Sequence, residues 1–223
     1  MPEQLSLTLP VRPALGRDDF FVSPANVMAL GLIDMWPNWP GSKLLLVGPK
    51  GSGKTHLTHV WATQSNAVIL NARDLSEDRI PDLAKGPVAV ENVPDIAGNV
   101  AAQKALFHLH NLTLAEGNTL LLTGAGEPNH WQLELPDLLS RMQGTTVAAL
   151  EQPDDILLSV IMAKQFADRQ LTPHPDTIPY LVKNMDRSFE GARRLVEALD
   201  RLSLAEQRPI TRALAKRVLD ATV

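Results

Sequence analysis

The chain contains no cysteine, no long apolar run and no secretion signal. Without cysteine it can form neither a disulfide framework nor a reactive thiolate. No run approaches the ~20 apolar residues that span a bilayer. The N-terminus begins Met1-Pro-Glu-Gln and has neither the basic region nor the apolar region of a signal peptide. We therefore expect a cytoplasmic protein that makes no membrane contact.

An excess of basic residues is also missing. The 21 lysines and arginines are outnumbered by 25 acidic residues, which gives a net charge of −4 and argues against a broad nucleic-acid-binding face. Any contact with DNA is therefore expected to be indirect, through a partner. With 223 residues, of which 44% are apolar, the chain can bury the core of one α/β domain with or without a small appendage.

The most informative motif is a phosphate-binding loop. An apolar strand at 44–47 leads into the pattern G-x-x-x-x-G-K-[ST] at 48–55, and a helical stretch follows. The glycines let backbone N–H groups turn toward an anion, and the positive end of the helix points to the same place. A chance glycine-rich turn is the alternative. The residues expected to bind a nucleoside phosphate are Gly48, Pro49, Lys50, Gly51, Ser52, Gly53, Lys54, Thr55 and His56.

Short apolar runs alternate with helical patterns over the first two thirds of the chain. Such runs, bounded by glycine, proline or asparagine, are typical of buried parallel strands, so the pattern predicts a three-layer α/β fold with a parallel sheet. The predicted strands are 44–47, 67–70, 88–90, 119–123 and 145–150. The predicted helices are 54–64, 78–84, 100–115 and 137–142.

After Pro153 the strand pattern gives way to helical periodicity. One predicted helix has Ile156, Val160, Ala163 and Ala167 on a single apolar face, with Leu157 and Ile161 beside it. Thr211 is predicted to cap a last helix. The sequence thus predicts three parts: a leader at 1–19, an α/β core at 20–152 and a small helical lid domain at 153–223.

A protein that hydrolyses nucleoside triphosphates needs a carboxylate that binds magnesium, and this residue is expected at the end of a second strand. Glu91 follows the run 88–90 and stands at that position, so we expect Thr55 and Glu91 to hold Mg²⁺ while Lys54 reaches the β- and γ-phosphates. Asn92 follows, where a carboxylate would activate water, and an amide cannot accept that proton. A positioned general base contributes about 10²- to 10⁴-fold in rate. Intrinsic hydrolysis is therefore expected to be weak or absent, unless Glu91 is only a surface acid at a strand end.

Together, these motifs resemble AAA+ ATPases of the DnaA branch, in order and over nearly the whole chain. The segment 53–59 is similar to the phosphate-loop helix of that branch, and 21–26 to its nucleotide-base segment. The resemblance implies that ADP or ATP binds with Mg²⁺. It also implies that Arg141 in Leu139-Ser-Arg-Met142 is a trans-acting arginine, and that Arg187 is a lid arginine contacting the chain's own nucleotide. Arg141 could instead form a helix-end salt bridge or a lid contact.

The DnaA branch adds a helix-turn-helix DNA-binding domain after the lid; because the resemblance runs only to Val223, we expect this chain to lack that domain. At the other end, the leader peptide 4–9 is similar to the peptide that bacterial proteins insert into the polymerase sliding clamp. Its expected clamp-binding residues are Gln4, Leu5, Leu7 and Leu9. A first β-strand or a hydrophobic flap over the core is the alternative.

The resemblance implies a negative regulator of replication initiation. This regulator would bind nucleotide, be tethered to the sliding clamp, and stimulate ATP hydrolysis by the DnaA initiator in trans. Two alternatives stay open. A self-sufficient P-loop ATPase or kinase would turn over ATP alone, and a helicase loader or DNA-recruiting adaptor of the same branch would bind helicase or DNA directly.

Overall fold

A five-stranded parallel sheet lies at the centre of the part of the chain that the structure, a computed structural model, describes: residues 21–221. The predicted clamp-binding residues Gln4, Leu5, Leu7 and Leu9 lie outside this range. The strand order is β2-β3-β4-β1-β5, and all pairings are parallel. The predicted α/β class with a parallel sheet is confirmed. The strands are β1 (Lys43–Val47), β2 (Val68–Asn71), β3 (Val88–Glu91), β4 (Leu120–Gly124) and β5 (Val147–Ala149).

Helices cover both faces of this sheet. Since successive residues of a strand point to opposite sides, each central strand contacts the helices of both faces. Leu44 and Leu46 of β1 pack with the helices of one face, whereas Leu45 and Val47 pack with those of the other. Both sides of the strand are therefore buried, which explains its continuous apolar run. The first face carries α1 (Val27–Asp34) and α2 (Lys54–Ser65), and the second carries α3 (Ile80–Leu83), α4 (Val100–Ala115) and α5 (Pro136–Gln143).

A buried glutamine fixes the start of α5. The side chain of Gln103 on α4 is fully buried. Its Oε1 accepts hydrogen bonds from the backbone N–H groups of Glu134 and Leu135 at 2.8 and 3.0 Å, and its Nε2 donates to the carbonyl of Ile96 at 3.2 Å. Because a buried amide is expensive to leave unpaired, this network holds the segment that enters α5 against α4. It thereby positions Arg141 in the last turn of α5.

Four helices follow β5 and share a hydrophobic core of their own. Asp154 caps the first of them by accepting a 2.7 Å hydrogen bond from the N–H of Leu157, and Thr211 caps the last, as predicted. The core side chains include Phe166, Leu181 and Leu199. The helices are α6 (Asp155–Asp168), α7 (Thr177–Asn184), α8 (Phe189–Glu206) and α9 (Arg212–Asp220).

The apolar face predicted for α6 is mostly exposed, and of the two residues predicted beside it only Leu157 is buried. Ile156 is 77% exposed and Val160 38% exposed, and Ala163 and Ala167 on the same stripe are also exposed. The side chains that α6 buries are Leu157, Leu158, Met162 and Phe166. The helix is apolar over more than one stripe, so its sequence periodicity alone did not select the buried face.

Candidate functional site

The phosphate-binding loop connects β1 to α2, as the motif predicts. Gly51 and Gly53 have φ values of 77° and 95°, in the left-handed region that glycine adopts without strain. At Gly48 the requirement is space, because a Cβ there would lie 2.6 Å from the carbonyl oxygen of Leu150. A glycine thus lets β1 and the end of β5 approach closely where the loop begins.

The N-terminus of α2 faces this loop. The first N–H groups of a helix have no partner within the helix, and those of Lys54 and Thr55 are in this position. Ser52 is buried, and its Oγ has no hydrogen-bond partner among the described residues. Thr55 is exposed, with its hydroxyl available to a ligand, and His56 lies half-buried in the same turn. The arrangement fits a phosphate chain that accepts backbone and hydroxyl hydrogen bonds.

Lys54 brings a positive charge into the loop. Its Nζ donates hydrogen bonds of 2.7 Å to the carbonyl oxygens of Gly48 and Pro49, and the side chain is 9% exposed. Burial lowers the pKa of the Lys54 ammonium below its ordinary value of 10.5, while the nearby Glu91 carboxylate acts in the opposite direction. The ammonium is thus held among loop carbonyls and close to the carboxylate expected to bind the metal.

Glu91 ends β3 and Asn92 follows it, and the two side chains lie in different environments. The Oε1 atom of Glu91 is buried and has no hydrogen-bond partner among the described residues, which fits a carboxylate oxygen that would coordinate a cation. Asn92 has φ 59° and an exposed side chain, and its backbone N–H donates to Oγ1 of the buried Thr123 on β4 at 3.1 Å. Thr123 therefore fixes the turn that separates the two side chains.

The first residue of α8 and the residue before it touch the phosphate-binding loop. The N–H of Phe189 donates to the carbonyl of Gly51 at 3.1 Å, and a Cβ at Gly51 would lie 2.6 Å from Cβ of Ser188. Arg187 is the next residue back along the chain. Its guanidinium forms an ion pair with Asp155 at the start of α6, and both side chains are at least half exposed. Sequence reasoning identified Arg187 but neither Asp155 nor Ser188, because nothing local to these two residues indicates a contact.

The segment expected to contact the nucleotide base is anchored to the end of the sheet. Asn26 is buried, and its side chain accepts from the N–H of Ser23 at 2.9 Å and donates to the carbonyl of Phe21 at 2.8 Å. The N–H of Glu151, just after β5, donates to the carbonyl of Ala25 at 2.9 Å. These bonds keep residues 21–26 beside the strand ends where the loop lies.

Arg141 lies at the amino ends of the strands, whereas the phosphate-binding loop lies at their carboxyl ends. It occupies the last turn of α5, just before the start of β5, whereas the phosphate-binding loop follows the end of the neighbouring parallel strand β1. The five residues of β1 separate these two ends of the sheet by about 13 Å. The side chain is exposed and forms no ion pair with any residue in 21–221. The structure thus brings Lys54, Thr55, Glu91 and the backbone next to Arg187 together and places Arg141 elsewhere.

Residues 21–221 contain neither a metal-binding cluster of side chains nor a membrane-spanning helix. No three His, Asp or Glu side chains between residues 21 and 221 form a cluster able to hold a metal ion. None of the helices in that range has the length and apolar character needed to cross a membrane.

No family model matches the chain. Among solved structures it is similar to domain III of the replication initiation protein DnaA from Thermotoga maritima, with a TM-score of 0.81 and 19% identity over 96% of this chain and 98% of that one. It is also similar to AMPPCP-bound DnaA from Aquifex aeolicus (TM-score 0.70, 18% identity, 87% of this chain and 66% of that one). A third similar structure is the RuvB Holliday junction branch migration motor from Thermotoga maritima (TM-score 0.66, 16% identity, 81% and 61%). These likenesses show that the chain has the fold of the DnaA AAA+ domain.

Proposed function

We propose that this chain is a negative regulator of chromosomal replication initiation that stimulates ATP hydrolysis by DnaA, as the regulatory inactivator Hda does. The observation that carries the proposal is the position of Arg141. It is exposed and has no ion-pair partner in residues 21–221. It lies at the end of the strands opposite to the chain's own phosphate-binding loop. An arginine in this position is available to a nucleotide held by a neighbouring molecule.

The chain's own site supports the same division of roles. Lys54, Thr55 and Glu91 are suited to hold ADP or ATP with Mg²⁺, and a similar structure contains AMPPCP. Asn92 occupies the position of the water-activating carboxylate, so the bound nucleotide would regulate the protein and hardly be hydrolysed. Arg187 would exchange Asp155 for the nucleotide in this site.

The leader supports a tether to the sliding clamp. An extended peptide can present Gln4 as a hydrogen-bonding anchor and place Leu5, Leu7 and Leu9 against an apolar groove. Because the clamp encircles DNA, the regulator would reach DNA indirectly. Its partners are then the initiator and the clamp.

Replacing Gln4, Leu7 and Leu9 by alanine is expected to remove clamp binding without changing the melting temperature. The reason is that a groove-binding leader contributes to the complex and not to the folded core. Surface plasmon resonance on immobilised clamp, with thermal melts of both proteins, measures the two effects. A large fall in melting temperature, as for truncated core residues, would show that the leader packs as a strand or flap; retained clamp binding would contradict the tether.

The function itself is tested with purified components. ATP hydrolysis by DnaA is followed with and without this chain, in the presence of clamp loaded on DNA. We expect the chain to accelerate hydrolysis while hydrolysing little ATP alone. Brisk turnover by the isolated chain would favour the self-sufficient ATPase, and binding to helicase or DNA with no effect on DnaA would favour the loader or adaptor.

A further inference from the structure

A second positive charge lies beside Arg141. Lys43 is the first residue of β1, and β1 pairs with β5, which begins shortly after Arg141. The N–H of Leu45 donates to the carbonyl of Thr146 at 2.9 Å, and Oγ1 of Thr145 donates to the carbonyl of Arg141 at 2.7 Å. These bonds bring the start of β1 and the end of α5 together at the amino ends of the strands.

His110 on α4 holds the Lys43 side chain in place. Nζ of Lys43 lies 3.3 Å from Nε2 of His110, and Nδ1 of His110 lies 3.1 Å from Oδ1 of Asn111. An amide oxygen only accepts, so Nδ1 carries the proton, and Nε2 keeps a lone pair that accepts a hydrogen bond from the ammonium. His110 is 3% exposed, which makes this chain of hydrogen bonds a built feature of the fold.

The two cations have no acidic partner in the described range. None of the carboxylates within residues 21–221 forms an ion pair with Lys43 or Arg141. Burial, and secondly Arg141, lowers the pKa of Lys43. Burial is also the main cause that lowers the pKa of His110, and Lys43 and Arg141 add to it against the hydrogen bond with Asn111. Like charges held together without a counter-charge disfavour the folded state, and an incoming anion would relieve that repulsion.

We propose that Lys43, held by His110 and Asn111, is a second cation that acts with Arg141 on the polyphosphate of the nucleotide bound by the partner. This inference rests on the proposed function. Arg141 offers a planar fork of donors, and Lys43 offers a compact point charge beside it. Two cations at the same end of the sheet can contact different phosphate oxygens. Each then stabilises part of the charge that develops during phosphoryl transfer. His110 acts through Lys43 and is a positioning residue.

The test compares Lys43→Met with Lys43→Arg in the stimulated DnaA reaction at saturating chain. Methionine keeps much of the aliphatic stem without the charge, and arginine restores a cation. We expect Lys43→Met to lower the stimulated kcat by roughly 10- to 100-fold, the size of one charge-assisted hydrogen bond, and Lys43→Arg to restore much of it. Lys104→Met, an exposed lysine on α4, is the matched control and should leave kcat unchanged.

The outcomes separate this inference from the proposed function. If Arg141→Ala stimulates as well as the wild type, the donor mechanism fails and the inference fails with it. If Arg141→Ala is inactive while Lys43→Met keeps the wild-type kcat, only the inference is overturned. A change confined to the concentration of chain that gives half-maximal stimulation would also overturn it, because Lys43 would then be a docking charge.

A double-mutant cycle tests the positioning role of His110. His110→Gln should lower the stimulated kcat in the presence of Lys43 and have little further effect in Lys43→Met, because both changes remove the same contact. Melting temperatures of all variants identify a loss of folding. Independent, additive effects of the two substitutions on kcat would show that His110 does not act through Lys43.

Discussion

Arg141→Ala is expected to abolish stimulation of the DnaA ATPase while leaving the regulator folded. Arginines supplied in trans contribute roughly 10³- to 10⁵-fold to hydrolysis by GTPases, because they stabilise charge on the transferred phosphoryl group. Arg141 is exposed, and the hydrogen bond that it accepts from Oγ1 of Thr145 uses its backbone carbonyl, which alanine also has. A surface substitution of this kind changes the free energy of unfolding by only about 0.5 kcal/mol.

Three controls make the Arg141 result specific. Arg141→Lys keeps the charge but loses the planar fork, so we expect partial activity. Arg79→Ala removes another exposed arginine, on the segment between β2 and α3, and should stimulate as the wild type does. Nucleotide binding and clamp binding by Arg141→Ala should be unchanged in calorimetric titrations. Wild-type stimulation by Arg141→Ala would assign the arginine to a structural role and remove the basis of the donor mechanism.

Lys54→Ala is expected to abolish binding of ADP and ATP by the chain itself. The ammonium lies in the loop, where it would exchange the carbonyls of Gly48 and Pro49 for phosphate oxygens. Hydrogen bonds to charged groups contribute about 1.5–3 kcal/mol each, so the loss of two should weaken binding by roughly 100-fold or more. Isothermal titration with Mg²⁺ present, and identification of nucleotide released on denaturation, measure the effect.

The same loop contains a matched control for Lys54. Lys50 is exposed, and alanine at this position retains the backbone N–H that the loop would use. We therefore expect Lys50→Ala to bind nucleotide nearly as well as the wild type. Lys54→Ala must also be melted without nucleotide, because it leaves two loop carbonyls without their donor. Wild-type affinity in Lys54→Ala would mean that the phosphates bind elsewhere.

The loop and the sheet could be predicted because their determinants are local. Glycines at fixed spacing, an apolar run before them and a helical pattern after them specify strand, turn and helix without reference to distant residues. The short apolar strands between turn residues gave the parallel sheet in the same way, within one to two residues at most ends. The helix α1 was not predicted, although Asn26 stands at its N-cap position before an apolar run.

The features that were missed depend on contacts between distant segments. The cluster of Lys43, His110 and Arg141 joins a strand start, a middle helix and a later helix, and no spacing in the sequence relates them. The pair of Asp155 with Arg187 likewise forms only after α6 and α8 have packed. The exposed face of α6 was misjudged for a related reason, since which of several apolar stripes is buried depends on where the neighbouring helices lie.

The hydrogen bond from Phe189 to Gly51 couples the position of α8 to that of the phosphate-binding loop. A shift of the phosphate-binding loop must either carry the N-terminus of α8 with it or break this bond. The 18 residues of α8 span about 27 Å, so a tilt of about 10° at the loop moves the far end by about 5 Å. A small displacement of the loop that tilted α8 would therefore be larger at Glu206, the far end of the helix.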